Sequence, residues 1–410
     1  MKVVVQPGEP PAETPRIRIG GSKSESARLL ILQALFPGIE IENCSGSDDT
    51  KVLRQGLEIK QGICDIGHAG TAMRFLTAYY SILEGSKVIL TGSNRMKERP
   101  VEELVTALRK LGAQIEYLER EGFPPLKING TNLTGNFVEI DASVSSQYIS
   151  ALMLIGPALP EGLTIALHGK PTSVPYIEMT ASLLNRLGIL VKKEENRLVI
   201  PAAAGIKSKT ITVESDWSSA SYYYSLAALS KNRRISLQYF SENSLQGDWK
   251  VSSIFENLGV ATEFYPEKKE IIISGTGAGL PEFLDLDLND TPDLAQTLAV
   301  CCFGLGTGCR LTGLHTLKIK ETDRLLALQT ELQKLGAEVE TGMDFLNLNP
   351  GKKINPGIAV DTYLDHRMAM AFAPLAAKTR LQINNPSVVS KSYPQFWDDW
   401  KKTGIKVRME

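Results

Sequence analysis

The chain has 410 residues, 43% hydrophobic and 22% charged, and its 45 basic residues nearly cancel its 46 acidic ones, for a net charge of -1. That length suffices for two or three domains with cores of their own, and the balanced charge excludes a general nucleic-acid or membrane surface, so any positive field must be local to a cleft. The five cysteines (Cys44, Cys64, Cys301, Cys302, Cys309) are odd in number and lack zinc or disulfide spacing. They read as reduced thiols of a cytoplasmic protein. Four histidines (His68, His168, His315, His366) do not make a histidine-rich metal site. The N-terminal residues lack a signal h-region, and no uncharged apolar stretch is long enough to span a bilayer.

In chain order, the first informative segment is Gly21-Ser22-Lys23-Ser24-Glu25-Ser26-Ala27-Arg28, leading into Leu29-Leu30-Ile31-Leu32. Ser22 and Glu25 form a capping-box pattern. Alone this is a well-capped helix; a cation and two hydroxyls at the same place would also hold a phosphate. Gly70-Thr71-Ala72-Met73-Arg74 offers a bare backbone that a small ligand can approach. In Met96-Lys97-Glu98-Arg99-Pro100 an arginine precedes what reads as a helix-opening proline, a placement suited to a planar carboxylate or phosphate. Ser143-Val144-Ser145-Ser146-Gln147, followed by the apolar run Tyr148–Ile155, is either a capped core helix or a hydrogen-bonding edge for a ligand. Thr291-Pro292-Asp293 begins another apolar helix, and Asp293 either caps it or serves chemistry.

Lys320-Glu321-Thr322-Asp323-Arg324 precedes an amphipathic helix that ends at Gly336. Backbone N–H groups there lack partners and the helix dipole favours anions, so Lys320 and Arg324 extend an anion site already begun. Glu321 is then either a salt-bridge partner or a proton carrier. Asp365-His366-Arg367-Met368 repeats the design. Lys23, Arg99, Asp293, Glu321, Arg324, His366, Arg367 and Lys391 thus form a scattered charged set, five of the eight being lysine or arginine. That is the chemistry of a divided site for phosphorylated, acidic substrates.

A phrase recurs through the chain: an amphipathic helix stops at a glycine and a strand-like run follows. It is clear at Gly112, Gly188, Gly259 and Gly336, spaced by roughly 75 residues, and weaker at Gly56 and Gly404. Six such units suggest two pseudo-symmetric lobes. Gly56 lies 56 residues before Gly112, so the first unit has lost part of its structure. The expected crossings are Gly20-Gly21 and Glu214-Ser215-Asp216, giving one lobe from 1–19 with 215–410 and another from 20–214.

Taken in order, these motifs resemble those of the 5-enolpyruvylshikimate-3-phosphate synthases, over essentially the whole chain: Gly21-Ser22-Lys23-Ser24, Gly70 to Arg74, Arg95 to Pro100, Ser145-Ser146-Gln147, Lys320 to Arg324 and Asp365 to Met370. The resemblance implies an α/β fold (α+β in some schemes) of two lobes, each built from three βαβαββ units, closing over substrates at a cleft between them. It implies transfer of the enolpyruvyl group of phosphoenolpyruvate to the 5-hydroxyl of shikimate 3-phosphate with release of phosphate, no metal or organic cofactor, and a monomer. Matched residue by residue, it assigns Lys23, Ser24, Arg28, Ser145, Ser146, Gln147, Ser173, Tyr176, Asp293, Thr316 and Lys320 to shikimate 3-phosphate. To phosphoenolpyruvate it assigns Lys23, Gly70, Arg99, Gln147, Arg324, Arg367 and Lys391.

Adding an alcohol across an enol double bond needs a base at the hydroxyl and an acid at the methylene, for which Asp293 and Glu321 are the natural pair. Lys23, Lys391 and the arginines stabilise the departing phosphate, and His366 either takes part or orients its neighbours. Closure strengthens such contacts: a charge pair at roughly 4 Å is worth about 1 kcal/mol in water and about 4 kcal/mol at an effective dielectric near 20. The chain departs from the family pattern at His68 (usually asparagine), Phe75 (usually proline) and Thr316 (usually asparagine), and is short between Asp49 and Gly70. Gly70 leaves room for glyphosate beside the phosphoenolpyruvate site. The competing readings are the related UDP-N-acetylglucosamine enolpyruvyl transferase, which usually carries a loop cysteine that Gly92 to Glu98 lacks, a non-catalytic binding relative, and an RNA-processing relative of the same fold, whose expected basic groove the neutral composition does not suggest.

Overall fold

The computed structural model describes residues 1–231, 233–277, 279–351 and 353–410. The chain folds as two units, one made of residues 1–20 with 214–410 and the other of residues 21–213.

In the unit of residues 21–213, Gln61–Asp65 pairs in parallel with Lys87–Thr91, which pairs antiparallel with Leu126–Asn129, itself antiparallel to Gln114–Tyr117. The second sheet repeats this order: Phe137–Asp141 parallel to Leu163–His168, then Arg197–Ile200 and Lys192–Glu194 antiparallel. The third keeps only the parallel pair, Ile39–Glu42 with Lys209–Thr212. The shortened first unit is therefore a unit without its antiparallel hairpin: helix Asp48–Glu58 leads straight into the first strand of the next sheet.

Gly56, read from sequence as a helix stop, lies inside that helix. Its role is close packing, since a Cβ there would sit 2.6 Å from Leu76 Cδ1 and 3.3 Å from Cys64 Sγ. The other glycines of the repeated phrase do adopt the left-handed conformation expected of a stop, with φ of 105° at Gly112, 88° at Gly188, 75° at Gly259, 100° at Gly336 and 88° at Gly404. Helices Lys23–Leu35, Gly70–Ile82 and Ser146–Ile155 pack on one another inside this unit. The last buries every side chain but Gln147, as a helix apolar all round must.

The other unit has three complete sheets of the same order. Phe283–Asp287, Gly308–Thr312, Leu346–Leu348 and Val339–Thr341 form one. Arg16–Ile17, Arg234–Gln238, Glu270–Gly275 and Val260–Tyr265 form the second. The third draws on both ends of the chain: Ala359–Val360 is parallel to Leu381–Asn384, which pairs with Lys2–Gln6 and through it with Lys406–Met409. The Val3-Val4-Val5 run suits that central position, its β-branched side chains all buried. Helices Trp217–Leu229, Ala295–Leu305 and His366–Phe372 occupy the interior. Phe396 and Trp400 stack at 5.0 Å beside Tyr223, whose hydroxyl meets that of Tyr393 at 2.9 Å. Among the described residues no helix is long and apolar enough to cross a membrane.

Candidate active site

The sequence-derived residues divide between the units. In the unit of residues 21–213 they sit where buried helices begin. Ser22 caps helix Lys23–Leu35, accepting from the Glu25 N–H, and Lys23 reaches Asp49 at 2.9 Å. Arg28, one turn on, is 1% exposed and ties three helices together. It donates to the Ser24 carbonyl (2.8 Å), the Ser150 hydroxyl (2.9 Å), the Tyr176 carbonyl (3.2 Å) and the Thr180 hydroxyl (2.7 Å). Burial lowers its guanidinium to about 10. The structure thus brings Arg28 together with Ser24 and Tyr176. Phe75 is buried beneath Arg28, its ring centroid 5.5 Å from the guanidinium carbon.

Gly70 opens helix Gly70–Ile82 against Arg99. A Cβ at Gly70 would lie 2.5 Å from Arg99 Nη1 and 2.8 Å from Nη2, so glycine is what lets the guanidinium lie on the backbone. The Pro100 carbonyl fixes the next residue, accepting from Arg74 (2.8 Å) and from the Tyr148 hydroxyl (2.6 Å). Pro100 does not open a helix as the sequence suggested; Val101 is the cap and the helix runs Glu102–Lys110. Ser145 caps helix Ser146–Ile155, accepting from the Gln147 N–H, and the Gln147 side chain donates to Thr71 at 3.3 Å. The segment is therefore a capped core helix. Ser173 precedes helix Val174–Arg186 in the left-handed region, φ 53°. His68 Nδ1 lies 2.9 Å from the Ser93 hydroxyl.

In the other unit the charged residues converge. Arg324, 2% exposed, sits among three carboxylates: Asp365 at 2.7 Å, Asp293 at 2.9 Å and Glu321 at 2.9 Å. These come from three separate segments, and they hold the guanidinium above its ordinary range against the opposing effect of burial. Arg367 reaches the other Asp293 oxygen at 2.9 Å and the Asp293 carbonyl at 3.3 Å. Asp293 is not a helix cap: Thr291 precedes the short 3-10 turn Pro292–Leu294 in which Asp293 lies. Burial alone would raise its carboxyl, but Arg367, Lys320 and Arg324 outweigh it and hold the group well below the usual carboxylate range.

Asp365 caps helix His366–Phe372 by accepting from the Arg367 N–H, which aims Arg367 back toward Asp293. His366 is buried with Nδ1 3.6 Å from Asp365. Thr316 Oγ1 and Lys391 Nζ are buried and have no hydrogen-bond partner among the described residues. For a lysine this is costly unless a ligand supplies the counter-charge. Among the described residues no group of His, Cys, Asp and Glu is arranged to hold a metal.

Sequence reasoning quoted Asp365 without giving it a role, and passed over Ser218 and Asp248. The cap position of Asp365 before His366 was a usable signal. Asp248 carried none: it is buried beside the Ser218 hydroxyl, to which Arg367 also donates. Burial and the nearby Asp293 push its carboxyl up to about 7.

Repeated units with a parallel pair and an antiparallel hairpin, and cations gathered at helix starts, define an enolpyruvyl-transferase type of fold. An EPSP synthase from Acinetobacter baumannii superposes with a TM-score of 0.77 at 21% identity, covering all of both chains. The enolpyruvyl transferase NikO from Streptomyces tendae does so with a TM-score of 0.74 at 14% identity, covering 99% of this chain and 98% of its own. In sequence, residues 52–400 match the family described as EPSP synthase (3-phosphoshikimate 1-carboxyvinyltransferase). A 3-phosphoshikimate 1-carboxyvinyltransferase of Bacteroides fragilis (strain YCH46) is 45% identical over 397 residues, 96% of each chain. One from Vibrio atlanticus (strain LGP32) is 37% identical over 420 residues, 95% of this chain and 96% of its own. The chain belongs to the EPSP synthase family.

Proposed function

We propose that the candidate residues of the two units serve one reaction. The chain is an enolpyruvyl transferase that moves the enolpyruvyl group of phosphoenolpyruvate to the 5-hydroxyl of shikimate 3-phosphate. The observation that carries the site reading is Asp293, held between Arg324 and Arg367 with Glu321 on the same Arg324.

In this reading the substrate hydroxyl oxygen adds to C2 of the enol while its proton passes to Asp293, and Glu321 delivers a proton to C3, making a methyl group. Elimination then removes a methyl proton and expels phosphate, restoring the enol double bond. Arg99, Arg324, Arg367, Lys23 and Lys391 meet the anionic groups of phosphoenolpyruvate and the leaving phosphate. Free Asp293 is a weak base because two arginines and Lys320 favour its charged form. When phosphoenolpyruvate claims those cations, their hold on Asp293 weakens and its basicity rises. The base is thus activated by the substrate it serves.

Shikimate 3-phosphate falls to Lys23, Ser24, Ser145, Ser146, Gln147, Ser173, Tyr176, Thr316 and Lys320, with Arg28 serving from within by holding three of the contributing helices. The same reading includes a cytoplasmic monomer without a cofactor; size-exclusion chromatography checks the monomer. The decisive assay is phosphate release from phosphoenolpyruvate with shikimate 3-phosphate, with UDP-N-acetylglucosamine as the parallel acceptor and Asp293→Ala as control. Release with shikimate 3-phosphate alone, lost in the control, is the expected result. No release from folded protein overturns it.

A further inference from the structure

The turn that delivers Asp365, His366 and Arg367 is built from two successive residues that both occupy the left-handed region, Tyr363 (φ 52°) and Leu364 (φ 57°). Neither is glycine or asparagine, and consecutive L residues there are strained. Burial does not compensate, for Tyr363 is 38% and Leu364 56% exposed. Something else must hold the turn.

That support is helix Arg324–Lys334, which grips the segment at two points on one face, since Arg324 and Glu331 are two turns apart. At the first, Arg324 holds the Asp365 carboxylate. At the second, fully buried Glu331 accepts from the Tyr363 hydroxyl at 2.6 Å and from the Asp361 N–H at 3.1 Å. Lys334 locks this second grip by donating to Glu331 at 2.8 Å and to Asp361 at 2.8 Å. Asn384 holds the remaining Asp361 oxygen at 2.7 Å. Between the grips the Asp365 N–H closes the turn on the Thr362 carbonyl at 2.8 Å, and the Asp365 carboxylate then caps the Arg367 N–H.

We propose that Tyr363 is a positioning residue for Arg367, its hydrogen bond to Glu331 holding the strained Tyr363-Leu364 turn in the conformation that aims Arg367 at Asp293. The inference rests on the functional reading above. Without the tether, Leu364 relaxes toward negative φ, Asp365 swings away from the Arg367 N–H, and Arg367 loses its aim at the phosphoenolpyruvate anion. Because the role is to hold strain, removing the strain should make the tether dispensable. Leu364→Gly removes the share of that strain held at 364, because glycine adopts positive φ without penalty, while residue 363 keeps its own.

The test compares wild type with Tyr363→Phe, Leu364→Gly and the double variant, reading steady-state kinetics, thermal unfolding, shikimate 3-phosphate binding by calorimetry, and amide exchange across residues 361–368. Tyr363→Phe is expected to raise KM for phosphoenolpyruvate about tenfold, the size of one released strained residue. Binding of shikimate 3-phosphate should stay unchanged, and exchange at the Asp365 and Arg367 amides should speed up. Leu364→Gly alone should behave as wild type, and the double variant should recover part of the loss in both readouts. A Tyr363→Phe enzyme with unchanged phosphoenolpyruvate KM and unchanged exchange overturns the proposal. So does a loss for both substrates that follows a fall in Tm and is not rescued by glycine. Wild-type protein that releases no phosphate sinks the functional reading instead, and the exchange pattern still decides whether Tyr363 holds the turn.

Discussion

Two sites, one in each unit, handle buried positive charge in different ways. Around Arg324 the counter-groups are acidic: three carboxyl groups share one guanidinium, and Asp293 is shared in turn with Arg367. Arg28 and Arg74 donate to neutral acceptors, namely hydroxyls, the Ser24, Tyr176, Gly70 and Pro100 carbonyls and the Met96 sulfur. Neutral acceptors fix a guanidinium without cancelling its charge, so that side keeps a standing attraction for anions. Carboxylates cancel the charge but gain proton-transfer groups of tunable basicity.

The largest test of this contrast is Arg324→Met against Arg28→Met. Removing Arg324 leaves three carboxylates facing one another and should cost about 3–5 kcal/mol of stability with loss of measurable turnover. Removing Arg28 strands hydroxyl and carbonyl acceptors, takes a positive charge from the neighbourhood of Glu25, and should cost about 1–3 kcal/mol. Thermal unfolding of both variants decides it; equal losses would mean that the kind of acceptor does not matter.

The next prediction separates two carboxylates within one unit by pH. Asp248 is raised to about 7, so between about pH 4 and pH 7 the folded state keeps a proton that the unfolded chain has released, and this group's contribution falls as pH rises. Asp293 is depressed, so its contribution is present above about pH 4 and is lost as pH falls further. Asp248→Asn should therefore stabilise by about 3 kcal/mol more at pH 8 than at pH 4.5. Asp293→Asn should destabilise at neutral pH and flatten the acid limb. Melting curves across that range report both signs.

Gly70→Ala should raise KM for phosphoenolpyruvate by about tenfold or less, at little cost in stability, because the new methyl displaces only the far end of the flexible Arg99 side chain. Steady-state kinetics with each substrate varied will show whether the change is confined to phosphoenolpyruvate. The smallest effect is expected from Ser145→Ala, which removes a helix cap and should cost about 0.5–1 kcal/mol, with a modest rise in KM for shikimate 3-phosphate.

Much of this was legible because it is local. The stop glycines Gly112, Gly188, Gly259, Gly336 and Gly404 all have the positive φ their place in the phrase demanded. Ser22 caps the Lys23 helix as its spacing from Glu25 implied. Glu321 could be narrowed to salt-bridge partner or proton carrier because it lies three residues from Arg324, and the salt bridge forms. Gly56 was misread because a glycine stopping a helix and one admitting Leu76 look alike in sequence. Pro100 was misread because a proline one residue before the cap looks like one inside the first turn.

By itself the sequence determined the Ser22 cap, five of the stop glycines and the repeat of the unit, since caps, left-handed glycines and apolar periodicity act within one or two turns. Only the tertiary structure decided that the missing piece of the first unit is its antiparallel hairpin, and that Lys2–Gln6 pairs with strands from the far end of the chain. It alone gathered Asp293, Glu321 and Asp365 on Arg324, put Asp248 behind Arg367, and tied Tyr363 to Glu331. The reason is physical: such contacts join segments tens to hundreds of residues apart, and their energies depend on which sheets carry them and how much water is excluded, which no local pattern records.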